Sequence, residues 1–204
     1  MMHVKVLCGA TDSLTEAING LRRSCWGLFF TNLEFLDDGH DGHAIHFLVL
    51  SEETVIAAAR LCIHTHLPNV SELHLCRTLD IAKYPGPYGC LNRLVVDARF
   101  RGRGLAAMLD RMRVETAETL ECRTIIASWN PHSGDRRRQA LQAQGFMTTS
   151  NNKPMPDGGF GMSFPYAKRI GARRVHAADV GGSWWRRACG HHNEPGARHE
   201  TALA

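Results

Sequence analysis

Residues 101–106, Arg-Gly-Arg-Gly-Leu-Ala, combine two glycines and two arginines immediately before an apolar, helix-like stretch. Because glycine has no Cβ atom, Gly102 and Gly104 can adopt unusual backbone angles and let a bulky anion approach the main-chain amides. Arg101 and Arg103 add two cations suited to phosphate oxygens. These residue types at this spacing predict a binding site for a phosphate di-anion.

The segments on either side of the turn favour the same chemistry. Cys90 to Val96 is a strand candidate, Asp97 to Phe100 is a short connection, and Leu105 to Leu120 has apolar residues at helical spacing. The start of a helix leaves main-chain N–H groups unpaired and carries about half a positive elementary charge, which attracts anions. We therefore predict a strand, a glycine turn and a helix whose first turn binds the phosphate.

The spacing excludes two common phosphate loops. No Gly-Lys-Ser/Thr follows four residues after a first glycine, so the turn is not a P-loop. The dinucleotide-binding fingerprint is met only by a permissive match at Ala107, and no acidic residue ends a second strand about 20 residues later. Neither fingerprint accounts for the turn.

Residues 101–106 resemble the Q/R-x-x-G-x-G/A motif of the GNAT superfamily of acyl-CoA-dependent acyltransferases, and a Leu-x-Val-type strand, Leu94-Val95-Val96, precedes them. The resemblance extends from Ser13 to about Phe164. The downstream part is similar to the rest of that superfamily's core, with a strand, a helix and a Gly-Phe pair at 123–129, 136–144 and 145–146. The resemblance implies an α+β fold, with a central, mostly antiparallel sheet, flanking helices and a splayed motif strand.

The resemblance also implies a binding mode for the co-substrate, acetyl-CoA or another acyl-CoA, and implies no metal. The pyrophosphate would bind at Arg101, Gly102, Arg103, Gly104, Leu105 and Ala106. The pantetheine arm would pair like an extra strand with Leu94, Val95 and Val96. Asn130 lies where the family often has an asparagine near that arm, although alignment from Gly145-Phe146 puts Gly134 there instead.

The acid and base that family members often use are absent from their positions. Counting from the motif, the glutamate position of the strand holds Cys90 and the tyrosine position of the later helix holds Leu141. The substitutes nearby are Asn92, Tyr84, Tyr88 and His132. Each is more typical of a structural role, and Cys90 lacks a visible activating base. The catalytic residues therefore stay unknown.

A looser resemblance concerns the region from Asp38 to Val49 and the strand ending in Ala59-Arg60-Leu61, which look like parts of acyl-homoserine-lactone synthases and N-acyl amino acid synthases. Those relatives use acyl carrier protein as the acyl donor. The resemblance implies that Arg60 is an exposed docking or acceptor-site residue. An arginine that ends a strand is also typical of a solvated edge charge.

Three functions follow from these patterns. The first is an N-acetyltransferase that moves acetyl from acetyl-CoA to a primary amine, on a small molecule or a peptide, by direct transfer. The second uses an acyl-carrier-protein donor, and the third is a CoA-binding regulatory module that has lost catalysis. The identity of the acceptor and the oligomeric state have no readable signal.

The segments before the motif are mixed in type. We expect a helix from Ser13 to Phe30, with Ser13 as N-cap and Glu16 completing a capping box. We also expect strands at 44–50 and 54–64 and an irregular candidate binding loop at 66–89. His46 is typical of a satisfied strand residue rather than of a catalytic base.

The composition fits a single domain with an appendage. The chain has 204 residues, 44% of them hydrophobic and 22% charged, with a mean hydropathy of -0.24 and a formal charge of +4. No apolar run approaches the roughly 20 residues of a membrane span, and the start has no secretory pattern, so we expect a cytoplasmic protein without a membrane partner. Seven cysteines without CxxC spacing predict reduced thiols.

The composition changes near residue 170. From Gly171 the chain is rich in arginine, histidine and glycine and poor in Leu, Ile and Val, which predicts a basic, flexible tail over 171–204 after an acyltransferase domain over 1–170. Much of the basic excess lies in this tail. The remaining charge is too small and too scattered to predict a nucleic-acid partner.

Overall fold

A mixed β-sheet runs through the molecule, with helices on both of its faces. The computed structural model describes residues 1–27, 36, 38–66, 83–130, 134–149, 155–156, 162–170 and 199–202. The strands are β1 (Met2–Cys8), β2 (Ile45–Ser51), β3 (Thr54–His64), β4 (Tyr88–Val96), β5 (Thr124–Trp129), β6 (Met147–Thr148), β7 (Met155–Pro156), β8 (Met162–Arg169) and β9 (His199–Ala202). The helices are α1 (Asp12–Trp26), α2 (Leu105–Thr119) and α3 (Asp135–Ala143), and short 3₁₀ turns occupy Asp41–His43 and Ala98–Phe100.

The strand order places the motif strand near the middle of the sheet. The order is β6-β8-β5-β4-β3-β2-β1-β9, and β7 pairs with β8. Strands β4 and β5 are parallel, joined through α2, and the other described pairs are antiparallel. The predicted α+β fold with a mostly antiparallel sheet is confirmed.

The two faces of the sheet carry separate apolar clusters. The α1 face packs Leu48, Ala58 and Val95 against Ile18 and Leu21 of α1. The α2 face packs the neighbouring strand residues against α2 and α3, in a larger cluster that includes Phe47, Ala59, Leu91, Leu105, Leu109 and Leu141. Because successive strand residues point to opposite faces and both faces are covered, β2 is apolar at consecutive positions, with Phe47 and Leu48 both fully buried.

Helix α2 lies close to the motif strand because of one glycine. A Cβ atom on Gly89 would stand 2.9 Å from the Cβ of Ala117, closer than carbon atoms normally approach. The missing side chain therefore lets α2 pack directly on β4, and this contact positions the start of α2 beyond the carboxyl end of that strand.

Most predicted elements are present, but the start of α1 is not as predicted. The helix begins at Asp12, its N-cap is Thr11, and no side chain caps it. Ser13 lies inside the first turn and its hydroxyl is 3.3 Å from that of Thr11. The predicted capping box of Ser13 and Glu16 is therefore wrong. Strand β1 was not among the predicted elements, and it is defined by its pairing with β2.

Two remaining sequence expectations have mixed outcomes. Cys25, Cys62, Cys90 and Cys122 are buried free thiols, as predicted, whereas Cys8 is disulfide-bonded, so the prediction of reduced thiols is wrong there. Of the predicted tail, the structure describes only His199–Ala202, which pair with β1. The boundary near residue 170 stays a prediction. Within the described part of the chain, no helix is long and apolar enough to cross a membrane.

Candidate functional site

The glycine turn forms an open start to helix α2. Gly102 and Gly104 have left-handed φ angles of 77° and 79°, and Gly104 is the N-cap of the helix. No atom lies within 4 Å of the Cβ position at either glycine, and no side chain bonds to the cap. The first turn of α2 contains no acidic residue. The main-chain N–H groups at this end are therefore accessible to an anion, as the sequence predicted.

The side chains around the turn fix its shape and surround it with positive charge. Arg101 is exposed, and its Nε donates to the carbonyl oxygen of Val96 at 3.2 Å, which ties the turn to the end of β4. The guanidinium of Arg103 lies 5.1 Å from the ring centre of Phe100. Leu105 is buried in the core and anchors the helix start, so cations lie outside the turn and apolar groups lie beneath it.

Strand β4 parts from strand β5 just before this turn. Its pairing with β5 covers only Tyr88 to Leu91, opposite Thr124 to Ala127, while β4 itself continues to Val96. The main chain of residues 92–96 therefore has no strand beside it on the β5 side in the described part of the chain. The predicted splay of the motif strand is thus present.

The predicted pantetheine residues border this opening. Val95 is buried on the α1 face, while Leu94 and Val96 are half-buried. Half-buried Asn130 directly follows β5, at the same end of that parallel strand. Ala106 is half-buried in the first turn of α2. Their roles in binding stay predictions.

A β-bulge marks the point where β4 leaves β5. Between the pairs Ala58–Val95 and Arg60–Asn92, β3 contributes one residue and β4 contributes two. Arg93 has a left-handed φ of 55°, which is uncommon for a residue other than glycine. An extra residue in one strand bends it away from regular pairing. We call Leu91, Asn92 and Arg93 the vertex of the opening.

A buried ionic network covers the vertex from the α1 face. The guanidinium of Arg60 donates to both carboxylate oxygens of Asp38, at 2.7 and 2.5 Å, and its Nε donates to Oδ1 of Asn92 at 2.8 Å. Arg93 donates to Asp38 at 2.7 Å. Arg60 is fully buried, so both interpretations of it, an exposed docking residue and a solvated edge charge, are wrong. Its charge is instead compensated by a loop that folds over the sheet.

The same network contains Arg22, Asp41 and His46. Arg22, on the buried side of α1, bonds to both carboxylate oxygens of Asp41 at 2.6 and 3.1 Å. The Nε2 of His46 lies 2.9 Å from the carbonyl oxygen of Asp41, so Nε2 carries the proton and donates it. Burial lowers the pKa of His46, which keeps the imidazole neutral near pH 7. His46 is a satisfied strand residue, as predicted.

The pKa of Asp38 reflects this environment. Burial by itself would raise the pKa, but hydrogen bonds and charges from Arg60 and Arg93 outweigh burial and hold it well below its usual range. Asp38 therefore stays ionised throughout the neutral and mildly acidic range, and the network keeps its negative charge.

The positions without the customary acid and base are apolar in structure as well. Cys90 and Leu141 are buried, with Leu141 packed in the core under α3. Tyr84 and Tyr88 are buried in one cluster with Cys90, and His132 lies outside the described residues. Cys90 is buried and Leu141 has no acidic or basic group, so neither position presents an acid or base at the surface.

A cavity that sequence reasoning missed opens next to Cys90. It has a volume of about 260 Å³ and is lined by His40, His43, Cys62, Ile63 and His64. Cys62 lies directly opposite Cys90 in the sheet. Burial, aided by the charges of His40 and Arg60, lowers the pKa of His64. The cavity therefore brings imidazole groups to the sheet close to the vertex.

A second charged cluster, on the α2 face, was also missed. Asp110 and Arg113 each follow an apolar position of α2 in sequence, and both are buried. Asp110 forms ion pairs with Arg113 and with Arg137 of α3. The signal that could have found them is their i, i+3 spacing beside buried Leu109.

The described fold is a mixed sheet whose motif strand parts from its parallel neighbour beside an open helix start. The model of the acetyltransferase (GNAT) family matches residues 13–146, more than half of the chain. The chain belongs to this family of acyltransferases, whose members use acyl-CoA. No curated protein matches the sequence.

Solved structures share the fold at low sequence identity. An N-acyl amino acid synthase from uncultured soil microbes, FeeM, has a TM-score of 0.66 and 12% identity, covering 83% of this chain and 92% of its own. ElaA from Escherichia coli has a TM-score of 0.58 and 16% identity, over 83% of this chain and 100% of its own. The ribosomal-protein-S18-alanine N-acetyltransferase of Escherichia coli has a TM-score of 0.57 and 14% identity, over 86% and 99%. At these identities the likeness concerns the fold alone.

Proposed function

We propose that this enzyme transfers an acyl group, most simply acetyl, from CoA to a primary amine by direct attack in a ternary complex. The observation that supports this proposal is the alignment of a helix start at Gly104, which no side chain caps, with the stretch 92–96 of β4, beside which no described strand lies on the β5 side. A helix start suits a pyrophosphate, and a free strand edge suits an extended amide-bearing arm. The helix start and the strand edge lie end to end, and the pyrophosphate and the pantetheine arm likewise follow one another in a CoA thioester.

The residues present fit this ligand. The space above Gly102 and Gly104 is clear of other atoms, so a diphosphate can approach the amides. Arg101 and Arg103 stand beside it and are matched to phosphate oxygens. The half-buried Leu94 and Val96 belong to the part of β4 that has no described strand beside it on the β5 side.

The chemistry requires an unprotonated amine at the vertex. Its nitrogen lone pair attacks the thioester carbonyl, the C–N bond forms and the C–S bond breaks. The nitrogen gives up one proton and the CoA sulfur leaves as a thiolate that takes up one proton, so the products are an amide and the CoA thiol. Holding both reactants in one geometry removes much of the entropic barrier without any protein acid or base. This enzyme is therefore proposed to work largely by positioning, because Cys90 and Leu141 replace the customary groups.

Thermal denaturation with ligands tests the proposal. A ligand at 100 times its dissociation constant stabilises the folded state by about 2.7 kcal/mol. We expect acetyl-CoA and CoA to raise the melting temperature, and amines to release free CoA thiol from acetyl-CoA. Binding without amine-dependent thiol release would leave a regulatory module as the better interpretation. The absence of any shift with every CoA species would refute the proposal.

The turn can be tested with one substitution and one matched control. Gly104→Glu places a side chain and a carboxylate where the pyrophosphate is proposed to bind, so we expect CoA binding to be lost. Gly20→Glu introduces the same residue at an exposed position of α1 with equal free space, away from the turn and from the vertex. Unchanged CoA affinity in Gly104→Glu would contradict the assignment of the turn.

A second candidate is transfer of a longer acyl chain from an acyl carrier protein to an amino acid. The observation that favours it is the concentration of guanidinium groups on the α1 face of the vertex, where Arg22, Arg60 and Arg93 meet the carboxylates of Asp38 and Asp41. A carboxylate on the acceptor would complement this region. FeeM, which shares the fold, is an N-acyl amino acid synthase and agrees with this candidate.

Paired substrates separate the two candidates. A carrier-protein donor should be used faster than the same acyl chain on CoA, and a free amino acid should react faster than its carboxamide. If CoA thioesters and carboxamides react equally well or better, the first candidate holds and the second fails.

A further inference from the structure

The bulge in β4 leaves main-chain groups that the sheet does not pair in the regular way. Two residues of β4, Arg93 and Leu94, face the single residue Ala59 of β3. A bulge disrupts the ladder locally, so main-chain groups around it need other partners when they are buried. The vertex therefore depends on a side chain for its stability.

Arg113 supplies those partners from helix α2. Its side chain is fully buried, and its Nη1 donates to the carbonyl oxygens of Arg60 and Asn92, each at 3.0 Å. Arg60 and Asn92 face each other across β3 and β4 immediately next to the bulge. One guanidinium thus bonds both strands at the place where β4 begins to leave β5.

The guanidinium itself is held in position by the adjoining helices. Its Nη2 donates to Asp110 on the preceding turn of α2. Asp110 is also buried and pairs with Arg137 of α3. Buried charges are costly, and apolar residues of similar volume often replace them without loss of stability. The charged cluster at this position therefore indicates that the guanidinium of Arg113 is needed for the geometry of the vertex.

Asn92 is fixed from both faces of the sheet. On the α1 face its side-chain Oδ1 accepts from Nε of Arg60 at 2.8 Å, and on the α2 face its carbonyl oxygen accepts from Arg113. Its neighbour Leu91 is the last β4 residue paired with β5. The two arginines thus fix the first residue of the open edge.

We propose that Arg113 is a positioning residue that holds the β4 bulge and thereby sets the open edge along which the pantetheine arm of the acyl donor binds. This inference rests on the proposed function, because it assigns the edge to that donor. It predicts that Arg113 controls binding of the pantetheine arm but not binding of the nucleotide part, which is proposed to contact the turn at 101–106.

Two ligands distinguish these parts. CoA contains both, whereas adenosine 3′,5′-bisphosphate, the nucleotide fragment, lacks the pantetheine arm. We expect Arg113→Met, which keeps the length of the chain but not its donors, to weaken CoA binding at least tenfold and fragment binding less than twofold, measured by calorimetry. Arg113→Lys, which keeps a donor for the carbonyl oxygens, should recover part of the CoA affinity. Arg111→Met, exposed on the same helix, is the control and should change neither affinity.

The outcomes separate this inference from the proposed function. Wild-type protein that binds neither ligand would refute the proposed function. Wild-type binding combined with equal losses for both ligands in Arg113→Met, or with no loss, would overturn the role of Arg113. If Arg113→Met does not fold, the ratio of the two affinities in Arg113→Lys decides, and a ratio equal to the wild-type value overturns the proposal.

Discussion

The turn before α2 and the bulge in β4 both place backbone in the left-handed region, but different forces stabilise them. At the turn, Gly104 has a φ of 79°, no side chain and open space around it. At the bulge, Arg93 has a φ of 55° and carries a large side chain bonded to Asp38. Left-handed backbone costs a residue with a Cβ atom roughly 1 to 2 kcal/mol, whereas glycine adopts it freely.

The difference shows two ways to build the two halves of one site. The turn needs only its own residue types, so it can lie at the surface and stay open to an anion. The bulge needs compensation from distant residues, because Arg93 is strained and the adjoining carbonyl oxygens are bonded by Arg113. The turn is stabilised by its own residues and is accessible, whereas the bulge is buried and depends on several residues acting together.

The largest expected effect is loss of the carboxylate that compensates the bulge. Asp38→Asn leaves Arg60 buried with half of its charge compensation removed, so the free energy of unfolding should fall by about 3 to 5 kcal/mol. Chemical denaturation measures it. Asp97→Asn is the matched control near the turn, because Asp97 pairs at 2.7 Å with Arg99, which is 76% exposed. Exposed ion pairs contribute little to stability. Equal losses of unfolding free energy in the two variants would therefore contradict the expected difference between the bulge and the turn.

The same carboxylate predicts an acid-sensitive stability. The folded-state pKa of Asp38 is lowered, so its contribution is complete above the unfolded pKa of about 3.9 and is lost as pH falls below that value. Stability of the wild type should therefore decrease below about pH 4. Asp38→Asn should show a smaller decrease in denaturation measured between pH 3 and pH 6. An identical pH dependence in the two proteins would show that Asp38 is not held ionised by its partners.

Adding a Cβ atom at the turn tests whether its glycine is required by conformation. Gly104→Ala meets no neighbouring atom but must adopt a φ of 79°, so we expect a loss of about 1 to 2 kcal/mol in unfolding free energy. Gly20→Ala, at an exposed and open position within α1, should instead stabilise the protein by up to about 1 kcal/mol. Stabilisation by Gly104→Ala would mean that the turn is not left-handed in solution.

Removing the Cβ atom at the bulge is the converse experiment. Arg93→Gly and Arg93→Ala both lose the bond to Asp38, but only the glycine variant relieves the left-handed strain. We expect Arg93→Gly to be more stable than Arg93→Ala by about 1 kcal/mol in paired denaturation curves. If the alanine variant is the more stable one, the bulge does not hold residue 93 in this conformation.

The smallest expected effect concerns the charge beside the turn. Arg103 is exposed, so Arg103→Gln should weaken CoA binding only about two- to five-fold at low salt, and the difference should shrink as salt is raised. Titration at two ionic strengths measures this. A large loss of CoA affinity that does not depend on salt would show that Arg103 makes a buried contact. The turn would then resemble the vertex, where the arginines are buried.

Much of the fold could be predicted because its signals are local. The strand over residues 90–96, the glycine turn and the helix from Leu105 follow from alternation, glycine spacing and helical periodicity, which involve neighbours in the chain. The start of α1 was predicted incorrectly because two hydroxyl residues two positions apart, Thr11 and Ser13, compete for the cap position. Strand β1 was not predicted because it is defined by its pairing with β2, which lies about 40 residues later in the chain.

The buried ionic clusters could not be predicted from the same signals. Arg22, Arg60 and Arg113 look like surface residues in the sequence, since arginine is rarely fully buried without a partner. Several of their partners are far away in the chain, as with Arg60 and Asn92, which are 32 positions apart, whereas Asp110 and Arg113 form an i, i+3 pair. Only the folded sheet brings them together.

The sequence by itself determined the glycine turn, its place between strand and helix, and the family to which the chain belongs. A glycine's freedom and a helix's dipole are properties of a few consecutive residues, so they are fixed before the chain folds. The tertiary structure decided where β4 parts from β5 and which charges hold it there. These contacts depend on burial. In water the charged groups would stay hydrated, whereas in the interior Arg60 pairs with Asp38 and Arg113 bonds to the carbonyl oxygen of Arg60.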